Sequence, residues 1–185
     1  MRITTITLVF LLMILGGNVS AKYITYSDNH GNALNLGLGV GGYSEYYGYY
    51  GRTLPFLGIN YEFGVSNNFT LAPFATFLSY HDFYYENGYD YGYRETIVPL
   101  GLKGTYYLDQ ALGAGRDWDF YIAGSLGFTV VKTTWDDGYQ SDNNLHTIDP
   151  LFLDLHVGAE YHLSNKIGLF LDISSGISTV GLAFH

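Results

Sequence analysis

Asp154, His156, Glu160 and His162 occupy even positions of the run Leu151-Phe152-Leu153-Asp154-Leu155-His156-Val157-Gly158-Ala159-Glu160-Tyr161-His162-Leu163, whose odd positions are all apolar. Successive side chains of a strand point to opposite faces, so these four groups share one face. By type they could ligate a divalent metal. The plainer account is a hydrated interior in which acids and imidazoles pair with one another, and on this pattern no metal or cofactor is assigned. His162-Leu163-Ser164-Asn165 offers a different chemistry, because a serine nucleophile needs a base in reach and a third group to orient that base. No glutamate follows Glu160 in the chain, Asp172 is the available substitute, and the alternation places Ser164 in a turn. A turn serine accounts for the run without catalysis.

A second set of candidate groups is aromatic. Tyr46 and Tyr47 lie in one polar segment, Tyr84, Tyr85, Tyr89 and Tyr91 in another, and Trp135 and Tyr139 in a third. Rigid rings with a polar tip give contact area at low entropic cost, which suits a binding surface. Some of them could equally extend strands and form an aromatic belt at a membrane interface. Asp136, Asp137, Asp142 and Asp149 share the third segment, but their spacing is not that of an EF-hand loop.

Strands of period two are needed to position both sets, and the chain reads as eight of them. They are expected at residues 33–43, 54–65, 69–79, 96–108, 118–131, 151–163, 167–174 and 179–185. Leu36, Leu38, Leu57, Ile59, Leu102, Ile122, Leu126, Leu169, Leu171 and Leu182 fall on the greasy faces. Gly, Asn, Thr, Lys103 and acids fall on the wet ones. Residues 69–79 are apolar at nearly every position, so their facing stays open. Greasy outside and wet inside is the pattern of a small barrel whose wall touches lipid.

Connections alternate in length. Ser66-Asn67-Asn68 and Ser164-Asn165-Lys166 are tight, whereas residues 44–53, 80–95 and 132–149 read as long loops. Short periplasmic turns and longer external loops are the rule for outer-membrane barrels, which places both chain ends on the periplasmic side. Inside, Lys103 is the cation expected to gather at least one acid within a structural lumen network of Glu62, Lys103, Asp154, Glu160 and Asp172.

The beginning of the chain reads as a cleavable secretory signal over residues 1–21, with Arg2, a short apolar core and Val19-Ser20-Ala21 before the cut. Residues 22–185 then form one domain. No later stretch is apolar for the roughly 20 residues a membrane helix needs. The absence of cysteine excludes a disulfide frame and thiolate metal sites. The 24 glycines keep a narrow wall thin, and the 19 tyrosines suit a lipid–water boundary. Loss of Arg2 with the leader takes the formal charge from −9 to −10, which argues against nucleic acid as a partner.

The glycine-spaced strands, the segment Pro99-Leu100-Gly101-Leu102-Lys103-Gly104-Thr105-Tyr106-Tyr107 and the ending Gly181-Leu182-Ala183-Phe184-His185 resemble the small outer-membrane β-barrel, porin-like proteins. Such barrels commonly finish on an aromatic residue, whereas here Phe184 is penultimate. The resemblance implies an all-β, eight-stranded antiparallel up-and-down transmembrane barrel in a bacterial outer membrane, in contact with its lipid and lipopolysaccharide. The His162 run also resembles the motif of outer-membrane lipid A deacylases, without their following glutamate. The expectation is a structural or surface-interaction protein acting through Tyr-rich external loops, not an enzyme, with an extracellular ligand or partner protein as its target. A narrow porin or channel is the alternative, and a lipid A-modifying enzyme comes third.

Overall fold

Alternation closes into a cylinder. The computed structural model describes residues 32–41, 54–86, 88–115, 117–136 and 151–185. The expected signal segment 1–21 and the candidate contacts Tyr46, Tyr47 and Tyr139 lie outside the described residues. The strands are β1 (Ala33–Gly41), β2 (Leu54–Ser66), β3 (Phe69–Glu86), β4 (Tyr89–Tyr107), β5 (Trp118–Trp135), β6 (Leu151–Ser164), β7 (Ile167–Ser174) and β8 (Ile177–Phe184). Each pairs antiparallel with the next, and β8 pairs back onto β1, so the sheet has no free edge along its ladder. A four-residue helical turn, α1 (Asp109–Leu112), sits in the β4–β5 connection and ends on Gly113 at φ +60°.

The outer face is apolar from β1 round to β8. Leu38, Leu57, Leu102, Leu126, Leu155, Ile173 and Val180 are all exposed, while Asn35, Glu62, Thr105, Asp154, Glu160 and Asp172 are buried. This inverts the burial order of a water-soluble protein. With every strand paired and apolar side chains outermost, the barrel is built to sit in lipid, as outer-membrane barrels do.

The open facing of residues 69–79 is settled by the register. Thr70, Ala72, Thr76 and Leu78 point inward and Leu71 and Phe77 outward. Apolar Ala72 and Leu78 on the inner side are what obscured the alternation.

One feature departs from expectation at large scale. Residues 80–95 are not a loop: β3 and β4 remain paired up to Glu86 opposite Tyr89, and Gly88 at φ +86° makes the tight turn. A left-handed position in a two-residue hairpin turn favours glycine. Tyr84, Tyr85, Tyr89 and Tyr91 therefore lie on strands, as does Trp135, because β5 continues past residue 131. At 18 residues β3 has about 60 Å of extended chain, where about 10 residues cross a membrane. The surplus forms an arm.

Candidate functional site

The height at which the arm leaves lipid can be read from the outward side chains. On β3 they run Leu71, Phe77, Ser79, His81; on β4 Leu102, Val98, Thr96, Arg94; on β5 Phe128, Val130, Lys132, Thr134. Ser79 pairs with Thr96 and Thr96 with Lys132, so all three strands change from apolar to polar at one level. That level is the upper membrane boundary of this wall.

Above it the inner face becomes aromatic. Tyr80 and Tyr93 meet edge to face at 6.4 Å between ring centres, as do Tyr84 and Trp135 at 6.0 Å, and Tyr93 and Trp135 meet tilted at 5.5 Å. The Tyr80 hydroxyl donates to Glu95, which also accepts from Thr133 Oγ1 at 3.4 Å. On the opposite face His81 Nε2 lies 2.7 Å from Asp136 Oδ2. Toward the tip, Phe83, Tyr85 and Tyr89 are 63%, 69% and 68% exposed. Of the aromatic residues singled out from sequence, Tyr84 and Trp135 thus brace the arm, and Tyr85 and Tyr89 face solvent.

Immediately below the arm, Phe56, Leu78, Ile97 and Ile177 form a buried apolar layer inside the barrel, with Tyr80 and Val131 packed against it. Beneath that layer the lumen mixes charged and polar groups with Phe74, Phe152 and Phe170. A cavity of about 70 Å³ borders Lys103, Asp154, His156 and Asp172, enough for a few water molecules and no more.

Of the expected lumen residues, Lys103 and Asp172 come together, while Glu62, Asp154 and Glu160 are held by other donors. Lys103 is the one Lys or Arg side chain turned inward among the described residues, and it pairs with Asp172. Tyr121 OH donates to the same carboxylate at 3.1 Å, and His156 Nδ1 lies 2.7 Å from its other oxygen. Glu62 belongs to another group, accepting from Asn35 Nδ2, Thr70 Oγ1 and Tyr107 OH at 2.7–2.8 Å. Asp154 accepts from Ser175 Oγ at 3.2 Å. Three neutral donors satisfy Glu62 where no Lys or Arg among the described residues reaches, which is why one cation does not have to serve the whole lumen.

Ser125 Oγ lies 2.9 Å from His156 Nε2, and His156 Nδ1 lies 2.7 Å from Asp172 Oδ1. This is the connectivity of a Ser–His–Asp relay, set on β5, β6 and β7. The residues are far apart in sequence, and only the strand register could reveal the contact. Ser125 is 3% exposed, and Asp172 is also held by Lys103 and Tyr121. The run flagged from sequence does not assemble. Ser164 Oγ accepts from the backbone N–H groups of Lys166 and Ile167 at 3.3 and 3.2 Å, shaping the turn, while His162 Nε2 lies 2.8 Å from Asp119 Oδ2.

Glu160 is grouped at the mouth opposite the arm, among the tight turns. His185 Nε2 sits 2.7 Å from Glu160 Oε1, and His162 Nδ1 lies 3.8 Å from the same oxygen. The hydrogen bond that His185 donates to the Glu160 carboxylate raises the His185 pKa above its ordinary 6.5, against a partial opposing effect of burial. Sequence reading placed Glu160 and His162 on one face but missed His185 and Asp119, whose positions depend on barrel closure and on the β5–β6 register.

No protein-family model matches the chain, and no curated protein does. Among solved structures it is similar to the N-terminal β-barrel domain of Pseudomonas aeruginosa OprF, at 10% identity over 83% of this chain and 96% of that one, with a TM-score of 0.49. It is similar to the Yersinia pestis outer membrane protein Ail in a phospholipid bilayer nanodisc, at 10% identity over 83% and 97%, TM-score 0.45. A transmembrane β-barrel from de novo design matches at 12% identity over 83% and 94%, TM-score 0.45.

Proposed function

We propose that this outer-membrane barrel is a surface-contact protein whose working part is the β3–β4–β5 arm, and that its lumen is structural rather than a channel or a catalytic chamber. The observation that carries this reading is the level change at Ser79, Thr96 and Lys132, above which ordered strands continue and carry exposed Phe83, Tyr85 and Tyr89. Strand pairing beyond the membrane gives a rigid platform, and rigid exposed aromatics are favoured at contact surfaces because little side-chain entropy is lost on binding. A membrane anchor alone has no need of the arm.

The apolar layer of Phe56, Leu78, Ile97 and Ile177 stands against the channel reading, since it packs greasy side chains inside the barrel between the arm and the Lys103 region. The burial of Ser125 and the small cavity beside it stand against acyl transfer. The test compares bacteria displaying the intact chain with bacteria displaying a chain in which residues 81–94 are replaced by a short turn. Both should give a folded, heat-modifiable barrel, because the ladder below residue 79 is untouched. Adhesion to epithelial cells or cell–cell aggregation should depend on the arm. Equal adhesion by both would overturn the reading. Steady conductance in planar bilayers would favour the channel, and covalent labelling of Ser125 by a fluorophosphonate would favour the enzyme.

A further inference from the structure

Glu160, His162 and His185 each offer one ligand atom at the mouth opposite the arm, and these atoms all lie within 4.8 Å of one another. Two imidazoles and a carboxylate, with a fourth position left to water, form a donor set that zinc and its neighbours in the transition series accept. Bonds of about 2.0–2.1 Å arranged tetrahedrally put ligand atoms about 3.3 Å apart. The observed separations of 2.7 Å from His185 Nε2 and 3.8 Å from His162 Nδ1 to Glu160 Oε1 bracket that value.

The surroundings are those of an oriented site. Asp119 Oδ2 accepts from His162 Nε2 at 2.8 Å, which in the neutral imidazole leaves the Nδ1 lone pair turned toward the Glu160 oxygen. Two acceptors then face each other, a poor arrangement unless a proton or a cation lies between them. A carboxylate behind a ligating histidine fixes its tautomer and raises its basicity. Gly168 pairs with His162 across the β6–β7 ladder, and a Cβ there would collide with the Glu160 carboxylate. Backbone bonds from His185 N to Lys166 O at 3.0 Å and from His162 N to Asp117 O at 2.8 Å pin both histidines.

We propose that Glu160, His162 and His185 bind a divalent cation of the zinc class at this mouth, with Asp119 as the orienting partner of His162. The ion takes the place of the proton shared between His185 and Glu160, and it ties β6 to the residue that follows β8.

The experiment uses the untagged protein refolded in detergent, stripped with a chelator and titrated with ZnCl2 by calorimetry, with MgCl2 as the hard-ion control. Saturable uptake of one zinc per chain is expected, with no comparable response to magnesium. Glu160→Gln, His162→Ala and His185→Ala should each weaken zinc binding at least tenfold. His156→Ala, which removes a lumen imidazole outside the cluster, should leave it unchanged. Cobalt should give the intense visible absorption of a tetrahedral site in the parent chain and lose it in the three ligand variants, with heat-modifiability confirming that each variant is folded. No saturable zinc uptake by the parent chain, or uptake undiminished in the three ligand variants, would overturn the proposal.

Discussion

The lower and upper parts of β3, β4 and β5 belong to one continuous ladder and solve opposite problems. Below the level of Ser79, Thr96 and Lys132, the outside is Leu71, Phe77, Leu102 and Phe128, and the inside is Thr70, Lys103, Thr105 and Ser125. Above it, the outside carries His81, Arg94 and Thr134, and the inside carries Tyr80, Tyr93 and Trp135. The backbone pattern is the same on both sides of the line; the solvent facing the outer wall is not. Lipid requires apolar side chains outside and forces polar groups to satisfy one another within. Water lets the arm return to the usual order, with rings packed on its inner face. The lumen is therefore where one lost partner should hurt most, and the arm is where change should stay local.

The largest effect should come from Lys103→Met. It strands the Asp172 carboxylate beside His156 and Tyr121, and breaking a buried pair costs on the order of 3–5 kcal/mol. Urea unfolding in bilayers should show this as a lower midpoint, partly restored when Asp172→Asn is added. If Lys103→Met unfolds like the parent, the paired-lumen side of the comparison is wrong.

Gly158→Val comes next. A Cβ at Gly158 would run into the Tyr121 ring, and overpacking costs about 1–3 kcal/mol. Displaced Tyr121 should also lose its bond to Asp172, so a shift in Tyr121 fluorescence or NMR signal should accompany the lower stability.

Tyr93→Ala should act on the arm alone. Tyr93 contacts both Tyr80 and Trp135, and each aromatic pair contributes about 0.5–1.5 kcal/mol beyond its buried area. Amide exchange in residues 80–95 should quicken about tenfold, whereas exchange in β6 and β7 stays as it was. Equal acceleration in β6 and β7 would mean that arm and barrel open as one unit.

The smallest effects should come from two outward positions on β4, one on each side of the boundary. Leu102→Ile faces lipid and conserves volume, so it should cost less than about 1.5 kcal/mol. Arg94→Met lies on the exposed outer face of the arm and should fall within about 0.5 kcal/mol of the parent. A large loss in bilayers from Arg94→Met would move the membrane boundary.

Much of the barrel was legible in the residues. Leu38, Leu57, Leu102 and Leu171 belong to the outer wall because a two-residue period leaves them no other face once Asp154, Glu160 and Asp172 must be shielded from lipid. The Lys103 pairing followed from the scarcity of inward cations. The alternation leaves open whether some of these tyrosines extend the strands, and the full length of the arm is not legible, because Tyr-rich polar segments resemble loops when a membrane strand is the template. Asn87-Gly88 between aromatic runs was the hairpin signal that could have shown it.

What the chain determines by itself is a set of faces: period two makes each strand two-sided, and an apolar side beside a charged side selects a lipid-facing barrel. What only the tertiary structure decided is which inward groups meet. Ser125, His156 and Asp172 lie on three strands, whereas Glu160 and His162 lie on one strand and His185 just after another. Their contacts depend on strand stagger and on the closure of β8 onto β1, and alternation along a single strand carries no information about either.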